Sequence, residues 1–239
     1  MDAAIVTVGD ELLVGDTENT NATWLCDRLA DRGVTVRRVT VVPDEVGEIA
    51  RVVNEYHAEY DAVIVTGGLG PTHDDVTMEA VAAAFGRDLV ANDEAADWLA
   101  ERGYSADDLV SETTHLPADC RPLPNEVGVA PGAVVESVYV LPGVPAEMEA
   151  MFESVVEEFE GTPTHTVVVD VDEPESALLE RFTELQEAFD VSVGSYPGES
   201  VRVKITAAAP DEAERAAEWV RERSVLVESV ESETEPSQR

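Results

Sequence analysis

Apolar runs that leave no polar face, alternating with amphipathic stretches, confine this chain to a sheet buried on both sides. Ala3-Ala4-Ile5-Val6-Thr7-Val8 and Ala62-Val63-Ile64-Val65 are apolar at nearly every position rather than at every second one. A strand with one face in water alternates, so these two need cover above and below. A second strand is expected over 34–42, closed by Pro43. Helical patterns separate the strands. One covers roughly 20–32, with Thr20 as its N-cap, Leu25 and Leu29 on one face and Gly33 as its stop. The other starts after Asp44 and places Val46, Ile49, Val52 and Val53 on one side. The βαβαβ order predicts an α/β fold whose mostly parallel sheet carries helices on both faces. In such sheets ligands gather beyond the carboxyl ends of the strands.

Residues 65–77, Val-Thr-Gly-Gly-Leu-Gly-Pro-Thr-His-Asp-Asp-Val-Thr, occupy that position after the third strand and ahead of a helix expected over 74–86. A glycine turn between a buried strand and a helix start gathers free backbone N–H groups at the positive end of a helix dipole. Gly67, Gly68 and Gly70 let a ligand approach the backbone closely, without Cβ atoms in the way. Asp74 and Asp75 would repel a bare phosphate, and they make sense beside one if a divalent cation stands between. The reading is a metal-assisted nucleotide or pyrophosphate site, with Asp74 and Asp75 as metal candidates; a tight turn capped by Asp74 is the rival. Asp10 and Glu11 follow the first strand, where they would ligate metal or activate water, or else hydrogen-bond to their own loop. Asp44 follows the second strand, where helix capping is the competing role. Asn21, Thr72 and Thr77 carry hydrogen-bond donors for phosphate or ribose, with core packing the stronger rival for Thr77.

Beyond the glycine segment a short strand at 89–90 and helices near 93–102 and 106–114 are expected. Pro117, Pro122 and Pro124 mark an irregular connection. Strands at 133–136 and 138–141 form a hairpin, and Pro142-Gly143-Val144-Pro145 turns into a helix from Ala146 to about Phe159. Gly161-Thr162-Pro163 is the best boundary, giving a first domain over 1–161 and a second over 162–230. The second reads as a strand at 166–171 and a helix at 175–189 with Leu178, Leu179, Phe182 and Leu185 inward. Paired strands at 191–195 and 200–207, a helix at 211–223 and a last strand at 226–230 complete a smaller α+β, ferredoxin-like or KH-like domain. Residues 231–239 are expected to be a disordered acidic tail.

The chain carries 51 acidic against 15 basic residues, a net charge of -36, and Lys204 is its single lysine. Such a surface repels polyanions, so nucleic acid is not an expected partner, and the KH-like reading of the second domain does not overturn that. The acids are spread over every helix. A fold adapted to molar salt, where charge repulsion is screened within about 3 Å, explains them better than a tail does. No apolar run is long enough for a membrane span, and Met1-Asp2 leads straight into a strand without a signal-peptide pattern, so a cytoplasmic protein is expected. Cys26 and Cys120 lack metal-ligand spacing and read as reduced packing residues. The four histidines show no zinc pattern.

Several spaced motifs together resemble the MoaB/Mog fold in the form carried by the CinA amino-terminal domain. They are Gly9-Asp10-Glu11-Leu12-Leu13 with Asn21, Thr66–Thr77, Asn125-Glu126-Val127-Gly128-Val129-Ala130-Pro131-Gly132, and Leu141-Pro142-Gly143-Val144-Pro145-Ala146-Glu147-Met148. The resemblance covers residues 1–160 closely. It implies an αβα layered domain that binds a pyrophosphate-containing nucleotide or a molybdopterin-like compound. It implies further a divalent cation of the Mg, Mn or Co class and hydrolysis of ADP-ribose- or FAD-type phosphoanhydrides. The alternatives are molybdopterin binding or adenylylation, and a non-catalytic nucleotide-binding module. Asp75 matches the aspartate of the Mog-type loop and is implied to ligate metal or orient the attacked phosphate. Asp44 matches a family acid. Asn125, Gly128 and Gly132 match a segment that lines the ligand cleft, and Gly143 with Glu147 approaches from the hairpin side. Many CinA proteins carry a carboxyl-terminal amidase; this chain ends before one could fit, so amidase activity is not expected. Relatives form homo-oligomers, and a dimer is expected.

Overall fold

Strand β1 (Asp2–Val8) is buried from Ala3 to Val8 because helices cover both of its faces. The computed structural model, which describes residues 1–70, 75–104 and 113–227, accounts for that double burial. β1 is followed by a five-residue helix α1 (Asp10–Val14), then α2 (Thr20–Asp31), β2 (Thr35–Val42), α3 (Val46–Glu59) and β3 (Ala62–Gly67). Next come α4 (Thr77–Ala84), β4 (Leu89–Ala91), α5 (Asp93–Glu101), β5 (His115–Pro117) and β6 (Arg121–Leu123). The hairpin β7 (Gly132–Val135) and β8 (Val138–Pro142) leads into α6 (Pro145–Val155), which closes with a 3-10 turn at Val156–Glu158. The chain divides into two compact units, Met1–Thr162 and Pro163–Arg239.

The first unit is built on a six-stranded sheet of order β2-β1-β3-β8-β7-β6. β2, β1, β3 and β8 run parallel; β7 and β6 run antiparallel to their neighbours. Alternate residues of one strand serve two separate cores. Ala3, Ile5 and Ile64 pack with Leu25 and Leu29 of α2 and Met148 and Phe152 of α6. Val6, Val63 and Val65 pack on the other side with Ile49, Val52 and Val53 of α3 and Val81 of α4. The result is the expected αβα layering around a mostly parallel sheet.

Local departures from the sequence reading have local causes. Asn19, not Thr20, caps α2: its side chain accepts the Ala22 N–H at 3.2 Å. Gly33 ends that helix with φ of 71°, as expected of a stop. The N-cap position of α3 is Glu45 rather than Asp44, and the Glu45 side chain makes no capping hydrogen bond. The proline-marked connection is not wholly irregular, since β5 pairs antiparallel with β4 and β6 joins the main sheet. Residues 105–112, where most of the 106–114 helix was expected, lie outside the described residues.

The second unit contains β9 (His165–Val171), α7 (Glu175–Ala188), β10 (Ser192–Pro197), β11 (Val201–Ala207) and α8 (Pro210–Arg221). Its sheet has the order β10-β11-β9 with every neighbour antiparallel, the arrangement of a split βαβ unit. Val169, Val203 and Ile205 pack on Leu178 and Leu185 of α7 and on Ala217 and Val220 of α8. Leu179, expected inward, is 60% exposed. Of the strand expected at 226–230, Leu226 makes a single bridge to Val171, and 228–239 lie outside the described residues. Among the described residues no helix is long and apolar enough to cross a membrane.

Candidate functional site

The four parallel strands deliver four loops to one edge of the sheet, and a cleft of about 600 Å³ opens between them. Val8, Gly9 and Glu11 come from the end of β1, and Asp44 from the end of β2. Gly67, Gly68, Gly70 and Asp75 come from the end of β3. Gly143, Val144 and Glu147 follow β8, and Gly128, Val129 and Ala130 close the side. Leu69, Val129, Ala130 and Val144 give this cleft apolar stretches between the acids. Four carboxylates thus share one hollow, with no lysine or arginine among the described residues of its lining. Without a cation, such a lining disfavours a bare phosphate and favours neutral hydrogen-bond donors.

Backbone approach sets the carboxylate positions. A Cβ on Gly68 would land on the Asp75 carboxylate, so glycine there is what lets Asp75 lie across the loop. A Cβ on Gly128 would likewise strike the Glu147 carboxylate. Asp44 reaches back across the strand ends to accept the Asp10 N–H at 2.9 Å, fastening the loop after β2 to the start of α1.

Asn125 is 1% exposed and organises the side wall. Its Oδ1 accepts the Gly128 N–H at 2.7 Å, while Nδ2 donates to the Ala130 carbonyl at 2.9 Å and to Glu147 Oε2 at 2.7 Å. Arg102, at the end of α5, donates to the backbone carbonyls of Asn125 and Glu126 and holds the same loop from outside. Asn21 lies in a smaller recess of about 90 Å³ that shares Val8, Glu11 and Gly143 with the cleft. Its Nδ2 donates to the Gly143 carbonyl at 2.7 Å, and its buried Oδ1 has no partner.

Residues 4–161 match the family described as "Probable molybdopterin binding domain". The chain belongs to this molybdopterin-binding-domain family. A protein of Archaeoglobus fulgidus is 41% identical over 198 residues, spanning 82% of this chain and 86% of that one. A protein of Pyrococcus furiosus is 37% identical over 246 residues, spanning 94% and 98%. The crystal structure of CinA from Thermoplasma acidophilum, described as of unknown function, matches with a TM-score of 0.62 at 38% identity. That match covers 66% of this chain and 97% of the CinA chain. The MoaB/Mog resemblance in its CinA form therefore holds for the first unit.

Within this family member, the cleft brings together Glu11, Asp44 and Asp75 with Gly67, Gly68, Gly70, Gly128 and Gly143. It does not include every candidate. Asp10 is absent from the lining; its contribution is the N–H given to Asp44. Gly132 is buried in β7, where a Cβ would strike Met151 Sδ and the Val140 carbonyl, so strand packing explains this glycine. Asn125 faces inward and shapes the wall rather than lining it. Thr77 is buried with its hydroxyl against Gly67 and without a partner among the described residues, which places it in the core. Thr72 and Asp74 lie outside the described residues. The sequence reading missed Arg102; it had Glu147 approach the cleft from the hairpin side, where Glu147 does line it. The Asn125-x-x-Gly128 spacing, which suits a side chain closing its own turn, was the available signal for this loop.

A divalent cation can be tested against this donor set. Among the described residues no three carboxylate, imidazole or thiol groups converge as a metal cage. The lining carboxylates are hard oxygen donors, which suit an ion of the magnesium type that keeps one or two protein ligands and takes the rest from phosphate and water. Such a set would fit a cation only where a phosphate-bearing ligand and water supplied the remaining donors.

Proposed function

We propose that this cleft binds a nucleotide phosphoanhydride of the ADP-ribose or FAD type and hydrolyses it with a divalent cation. The supporting observation is the meeting of Glu11, Asp44 and Asp75, each from a different strand end, beside the Gly67–Gly70 backbone in one cleft. Asp75 would hold the cation together with the phosphate oxygens, and the bound ion would neutralise phosphate charge and polarise the attacked phosphorus. The glycine loop would offer backbone N–H groups to the phosphates. Glu11 takes no side-chain hydrogen bond among the described residues and is the acid assigned to receive the proton of the attacking water. Water oxygen joins one phosphorus, the bridging P–O bond breaks, and ADP-ribose yields AMP and ribose 5-phosphate. Asp44 keeps the loops after β1 and β2 in register through the Asp10 N–H.

The family description, which names molybdopterin binding, favours a second reading in which the same cleft holds a molybdopterin; the reaction proposed with it is attack of the pterin's phosphate on the α-phosphorus of ATP, which attaches the adenylyl group and releases pyrophosphate. One experiment separates the two. AMP release from ADP-ribose and FAD is measured with magnesium, manganese or cobalt, alongside ATP consumption with and without molybdopterin. The expected result is metal-dependent AMP release that falls at least a hundredfold, roughly, in Asp75→Asn with the fold intact. ATP consumption that requires the pterin would replace this reading with adenylylation. Tight nucleotide binding with no turnover under any metal would reduce the cleft to a binding module.

A further inference from the structure

Glu147 has no task in the hydrolytic scheme, yet its position is closely specified. It sits in the first turn of α6, where the helix dipole favours an anion. Its Oε2 accepts from Asn125 Nδ2, and the whole carboxylate lies against the Cα of Gly128. The direction of the Asn125 amide follows from its partners. Only Oδ1 can accept the Gly128 N–H, so Nδ2 must face the Ala130 carbonyl and Glu147. Asn125 thus spends a buried donor on holding one carboxylate oxygen in place. The other oxygen, Oε1, takes no hydrogen bond among the described residues, and Glu147 lines the cleft.

A fixed carboxylate in a cleft with no basic side chain among the described lining residues has two kinds of complement, a cation or uncharged N–H and O–H donors. No metal cage forms around it among the described residues. Its neighbours on that wall, Val129, Ala130 and Val144, are apolar and suit the uncharged part of a ligand. We infer that Glu147, positioned by Asn125 and Gly128, is the specificity residue that reads a pair of adjacent uncharged donors on the ligand. Two ligand parts carry such a pair: the cis-diol of a ribose, and the edge of a pterin formed by its N3–H and 2-amino group. Either would place its donors on Glu147 while the phosphates lie across the cleft on the Gly67–Gly70 loop. This inference rests on the proposed phosphate-binding role of that loop, but not on hydrolysis.

Binding calorimetry on the full chain, in potassium-rich buffer with magnesium, tests it without requiring turnover. The probes are ADP-ribose, inorganic pyrophosphate and 6-hydroxymethylpterin; the variants are Glu147→Gln and Glu147→Ala, each checked by thermal melting. Glutamine keeps the shape of the side chain and loses the ionised acceptor. The expected result is a fall of about tenfold or more in the ratio of ADP-ribose to pyrophosphate affinity in both variants. A selective fall for hydroxymethylpterin, with that ratio preserved, would assign the same acceptor to a pterin edge instead. Unchanged affinity for ADP-ribose and the pterin would overturn the inference, as would an equal loss for all three probes. Failure of the hydrolytic reading shows separately, as absent AMP release in the parent protein.

Discussion

At the scale of single residues, the cleft depends on side chains that are missing as much as on those present. Gly68 and Gly128 each leave the space that a carboxylate fills, Asp75 over the first and Glu147 over the second. Gly68→Ala is therefore expected to displace Asp75 rather than to stiffen the loop harmlessly. AMP release should fall toward the level of Asp75→Asn, while the melting temperature drops by only a few degrees, about 1 kcal/mol of stability. Activity and melting measured on one preparation check this, and an alanine variant of undiminished activity would contradict the geometry. Asn125 shows why residue type alone misleads. An asparagine beside a glycine-rich segment looks like a ligand contact, yet all of its polar atoms are engaged by protein. Arg102 shows the opposite case: nothing in its helical surroundings announces that it grips a loop more than twenty residues further along.

At the scale of elements, the second unit contains a clasp with a definite pH signature. Arg181 on α7 donates through both terminal nitrogens to Glu173, at 2.8 and 2.6 Å, and the Val225 N–H adds a third bond at 2.7 Å. The Arg181 guanidinium first, and then the Val225 amide, hold the Glu173 carboxyl down to about 2. An acid whose folded value lies below its unfolded one, about 4.3, adds stability that is complete above the unfolded value. That stability is lost as pH falls through the folded value. The difference in melting temperature between the parent and Glu173→Gln should therefore be constant above about pH 5 and shrink toward zero near pH 2. A difference independent of pH would show that the clasp does not act through the ionised carboxylate. This clasp was not legible in the sequence, because Glu173, Arg181 and Val225 come from a loop, a helix and a chain segment with no common period. The parallel strands were legible, since burial on both faces imposes apolar residues at successive positions, as in β1 and β3. The short β5 and β6 were not: three residues with prolines carry too little pattern, and pairing with β4 and β7 decides them. The cleft was legible to the extent that strand ends in a parallel sheet predict where loops meet. Gly132 read as a cleft residue because its motif is continuous with Gly128, although the chain has already entered β7 at that point.

At the scale of the whole molecule, 51 acids face 15 basic residues, so most carboxylates cannot be paired however the surface is arranged. Many arginines already serve carboxylates at the surface, among them Arg28, Arg32, Arg37, Arg51 and Arg121. Exposed pairs of this kind are weakened by water and do not offset a charge of -36. Added salt should therefore stabilise the fold by screening repulsion. The melting temperature is expected to rise continuously from dilute buffer to molar KCl, followed by circular dichroism; an unchanged value would show that the acids are tolerated without screening. Chain direction has a consequence at this scale too. The acid-bearing loops all leave the forward tips of parallel strands, whereas the turns that enter those strands open on the far rim of the sheet. Insertions there would lengthen the protein without disturbing its chemistry. One rim of this domain can thus accept new attachments while the other keeps the shape of the cleft.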